Sequence, residues 1–109
     1  MGSTPASIDL GTFTLEEAKA LIGTVFTVTV DGNDYQLKLY DAAPFEFRAR
    51  RKAQVPKRAP FSVYFNGPSD PILWQGTYTL RSDEAALETV FIVPIGRDEE
   101  GTEYEAVFA

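Results

Sequence analysis

The apolar positions change period once along the chain, and the change separates one short helix from a run of strands. Thr14 followed three residues later by Glu17 forms a capping-box pattern, in which each side chain satisfies the other's free backbone N–H. Leu15, Ala18 and the Leu21-Ile22 pair then share one helical face, and Gly23 fits the C′ stop position. This pattern predicts a helix over 15–21 that covers one end of a sheet. From Val25 the period is two: Phe26, Val28 and Val30 share a face, while Thr27 and Thr29 point away. Asp31-Gly32-Asn33-Asp34 supplies residues that tolerate positive φ, as a tight hairpin requires. A return strand follows over 35–40, with Tyr35, Leu37 and Leu39 alternating against Gln36 and Lys38.

Residues 41–60 break the pattern with Pro44, Pro56 and Pro60. A connection of that length without its own periodicity is uncommon in compact domains and often functional. Phe61-Ser62-Val63-Tyr64-Phe65 reads as a strand stopped by Asn66-Gly67-Pro68. Another strand runs over about 73–80, where Gly76 suggests a bulge or a close backbone approach. Within it Trp74, Gly76 and Tyr78 share one face with Gln75 and Thr77 opposite. Trp74, Gln75 and Tyr78 suggest a ligand site, but core packing with a hydrogen-bonded edge explains them equally well and is the favoured reading. A fifth strand spans 89–95, with Pro94 placing its end at an edge or bulge. Gly96 to Gly101 turns the chain, and 104–108 forms the sixth strand. The expectation is a mainly β fold, an antiparallel barrel or compact sandwich of about six strands with one short N-terminal helix. Residues 1–11, small and polar, read as a flexible tail, and 12–109 as a single small domain.

Four stretches occur in order: Phe61-Ser62-Val63-Tyr64-Phe65-Asn66-Gly67-Pro68, Gln75-Gly76-Thr77-Tyr78, Phe91-Ile92-Val93-Pro94-Ile95-Gly96 and Tyr104-Glu105-Ala106-Val107-Phe108. Together with the opening from Phe13 to Phe26, they resemble an uncharacterised family of small bacterial β domains. Members of that family occur near phage-tail-collar-like proteins, so the resemblance implies a lean toward particle assembly. It brings no catalytic residue and no cofactor. The chain departs from the family at its last residue, Ala109, where a polar residue is more usual.

Composition narrows the chemistry. Histidine and cysteine are both absent, which removes imidazole and thiolate sites and, with them, Ser-His-Asp and Cys-His catalysis. No Gly-rich phosphate loop is present. A carboxylate-only enzyme would need two acids converging in a pocket, whereas every acid here fits a turn or a solvated face. Asp98, Glu99, Glu100 and Glu103, or Asp31, Asn33 and Asp34, could gather round a hard cation, but neither set has the spacing of a calcium loop. The expectation is no catalytic, cofactor-binding or metal-binding residue. No basic region precedes a hydrophobic run at the start, and Val90 to Val93 is too short to span a bilayer. The reading is therefore a cytoplasmic protein, or one incorporated into a particle assembled there, without membrane contact.

Charge supplies the sharpest feature. The net charge of −6 opposes nonspecific binding of nucleic acid by the whole molecule. Yet six of the ten basic residues, Arg48, Arg50, Arg51, Lys52, Lys57 and Arg58, lie in one segment, while Asp83 to Glu105 holds eight of the sixteen acids. These six cations are the candidate partner-binding residues. Contact with a protein partner, or self-association of basic segment with acidic edge, is the favoured reading. The alternatives are an inert solvated loop whose positive charge faces the acidic C-terminal third, and then a nucleic-acid contact, with guanidinium groups on phosphates and Phe45, Phe47 and Phe61 flanking them to stack on bases.

Overall fold

Thr14 caps the helix by the predicted exchange: its Oγ1 accepts the N–H of Glu17 at 3.1 Å, and Glu17 Oε1 accepts that of Thr14 at 3.0 Å. Helix α1 is Leu15–Ala20, with Ala18 on its buried face. Gly23, at φ +96°, turns the chain out of the helix, and its N–H donates to the Leu39 carbonyl at 2.7 Å. The structure is a computed structural model and describes residues 6–44, 60–83 and 85–108.

The best-marked hairpin forms as its sequence requires. Strand β2 (Val25–Val30) pairs antiparallel with β3 (Asn33–Pro44) through Asp31 and Gly32, at φ 52° and 79°. Two successive positive φ values make a turn whose twist matches that of the strands. Phe26, Val28, Leu37 and Leu39 point inward and are fully buried. Beyond Leu39 a bulge inserts Tyr40, after which Asp41 faces solvent and Ala42 is buried. That one extra residue shifts the alternation by one and hides the strand's continuation from a strict period-two reading.

Strands β4 (Phe61–Gly67), β5 (Gly76–Arg81), β6 (Ala85–Asp98) and β7 (Gly101–Phe108) complete a six-stranded antiparallel ring in the order β6-β5-β2-β3-β4-β7, with β7 returning to β6. Of the two architectures left open by the sequence, the barrel is the one found. A short strand, β1 (Ala6–Ser7), lies parallel to the start of β6 and has no counterpart in the sequence reading. The joints are unequal. β4 and β7 match along their length, from Phe61↔Phe108 to Gly67↔Thr102, whereas β2 and β5 meet at the single pair Thr27↔Arg81.

β6 begins four residues earlier than its apolar run predicts and bends twice. At Thr89, φ 62°, two of its residues oppose Thr79 of β5, so the extra residue lies in β6, while Gly76, where a bulge or a close backbone approach was expected, pairs regularly with Ile92. The second irregularity lies between Pro94 and Gly96, as the proline foretold.

The two ends of the ring are closed differently. At one, Phe13, Phe61 and Phe108 form an aromatic trio, with centroids 5.2–5.8 Å apart. The other lies where β4 ends at Gly67 and β7 starts. There a Cβ on Gly101 would stand 2.5 Å from the Gly67 carbonyl oxygen, so glycine alone fits.

Candidate functional site

The six cations Arg48, Arg50, Arg51, Lys52, Lys57 and Arg58, with Phe45 and Phe47, lie outside the described residues. Pro44, the last described residue before them, matches Phe61 at the aromatic end of the ring. Phe61 is not free to stack on a base. Phe61 is 1 % exposed, stacked on Phe108 at 5.2 Å and tilted against Phe13, so its ring faces the core.

Trp74 also departs from expectation. It is 79 % exposed, the opposite of the expected core position. The strand starts only at Gly76, so Trp74 belongs to the connection from Pro68 to Gln75 and does not follow the alternation of β5. That connection is held by four side chains of the barrel. Thr102 Oγ1 donates to the Pro68 carbonyl at 2.9 Å, and Arg97 Nε to that of Ser69 at 2.6 Å. The Leu73 N–H donates to the buried Tyr104 hydroxyl at 2.8 Å, and the Tyr78 hydroxyl donates to the Trp74 carbonyl at 2.7 Å. Leu73 is buried as a plug, while the indole beside it projects into solvent. Tyr78 keeps the expected packing against the core, and its burial, then the neighbouring Tyr104, raises its pKa.

Further apolar side chains face outward on the wall. Phe91 is 54 % exposed and Val107 48 %. Each lies two residues from the Val93↔Glu105 pair, towards the same end and on the same face. The continuous apolar run from Val90 to Val93 conceals this, because hydrophobicity alone cannot say which of its residues face out.

The outer face of β3, β4 and β7 is polar. Tyr40 and Tyr64 lie with ring centroids 6.2 Å apart, and the Tyr40 hydroxyl donates to Glu103 Oε2 at 2.9 Å. Burial first, then the Glu103 bond and charge, pushes Tyr40 up to about 12. Ser62, also buried, donates to Glu105 Oε2 at 2.8 Å. A hollow of about 300 Å³ between β4 and the β6–β7 turn is lined by Asn66, Arg97, Asp98, Glu100 and Glu103. Two of its three carboxylates are already engaged. Asp98 accepts the N–H groups of Glu100 and Gly101, and Glu103 accepts from Tyr40. Asp34, in the other acidic set, accepts from Thr29 Oγ1. Among the described residues no group of three or more acids, histidines or cysteines could hold a metal ion. No helix among them is long and apolar enough to cross a membrane.

A protein-family model, Domain of unknown function (DUF6916), matches residues 13–108. Comparison with curated proteins and with solved structures gives no match.

Proposed function

The chain belongs to the DUF6916 family, and from that premise we propose that it is a non-enzymatic protein-interaction or structural module. The observation that carries this reading is Trp74, exposed on a loop whose backbone is already fixed by Thr102, Arg97, Tyr104 and Tyr78. An indole so exposed offers on the order of 4 kcal/mol of transfer free energy to whatever covers it. Since the loop is held beforehand, little of that is lost in ordering the chain on binding. Buried aromatic anchors commonly dominate the energy of protein contacts.

Arg48, Arg50, Arg51, Lys52, Lys57 and Arg58 form the second element of the proposal, a charged contact for a protein partner or another copy of the chain. The resemblance to small bacterial domains found near phage-tail-collar-like proteins extends it to an accessory part of a phage-derived or tail-like assembly. The setting is then the cytoplasm, or a particle assembled there.

The test compares the parent with Trp74→Ala and with a triple variant neutralising Arg50, Arg51 and Arg58. Sedimentation velocity over a range of concentrations reads self-association. Capture from host lysate, with and without nuclease, reads other partners. The expected result is association that survives nuclease and is lost in Trp74→Ala, with the triple variant folded but weakened. Association unchanged in Trp74→Ala overturns the Trp74 contact. The clustering of six cations favours one second reading, a nucleic-acid contact by the same segment. Binding abolished by nuclease and falling steeply with salt would replace the first reading by this one.

A further inference from the structure

We draw no further inference here: the strongest candidate, the polar outer face of β3, β4 and β7 where Asp41, Glu103 and Glu105 surround the Tyr40–Tyr64 pair, is an acidic cluster engaged in its own hydrogen bonds, and nothing in the structure shows what covers it.

Discussion

The two ends of the barrel solve the same problem by different physics. At one end the ring is stopped by Phe13, Phe61 and Phe108, whose rings pack edge-on, tilted and stacked. At the other it is stopped by a connecting loop held on side-chain hydrogen bonds, with only Leu73 inserted as an apolar plug. Apolar packing is non-directional and scales with area, so the first end contributes chiefly to global stability. Hydrogen bonds contribute less net energy but fix direction, so the second end contributes chiefly to the placement of the residue it displays. A rigid loop with an exposed indole is what that second solution produces.

Removing a ring from the first end gives the largest expected effect. Phe13→Ala should cost about 3 to 5 kcal/mol, because Phe13 is wholly buried and touches both other rings. Urea unfolding measures it, and a loss below about 1 kcal/mol would mean that this end is not packed as described.

Tyr104→Phe addresses the other end, leaving the Leu73 N–H without its buried acceptor. The expected cost is about 1 to 3 kcal/mol. Amide exchange should speed up over residues 68–75 more than in β4 or β7. Uniform acceleration would show that the bond supports the whole barrel rather than the loop.

A smaller effect belongs to the wall between the ends. Tyr40 has a folded pKa of about 12 against 10.0 for the free phenol, so the folded state holds its proton more tightly. The contribution of that proton is fully present below pH 10 and is lost as pH rises towards 12. The stability difference between the parent and Tyr40→Phe should therefore be flat up to pH 10 and shrink above it. A difference that stays constant to pH 12 would remove the Glu103 bond as its source.

The smallest expected change is in the folding of Trp74→Ala. With its side chain 79 % exposed, stability should move by no more than about 0.5 kcal/mol. A loss of 2 kcal/mol would place the indole in the fold and withdraw the observation behind the proposed contact.

Local chemistry was the most legible part of this chain. Thr14 and Glu17 announce the cap, and Asp31-Gly32 the hairpin, because each is set by residues within three positions of one another. Bulges were harder to read. The extra residue at Tyr40 and the one at Thr89 move the inward face by one position, so a period of two loses its phase inside β3 and β6. Trp74 departs from the expected core position because the alternation of β5 does not extend back past Gly76, into residues that follow no strand. Its exposure is set by partners distant in sequence, Tyr104 and Thr102 among them, which local pattern does not encode. The basic cluster is evident from the positions of the charges along the chain, and its residues lie outside those described.

The meeting of β2 and β5 at Thr27↔Arg81 alone gives the ring a clasp. Mechanically the molecule is a curled ribbon fastened at one stud, rather than a tube of uniform wall. Fluctuations that part the wall at least cost concentrate there, since fewer ladder bonds must break than at any long joint. Phe26, Val28 and Leu80, buried immediately beside that stud, are the core side chains that an opening there would uncover.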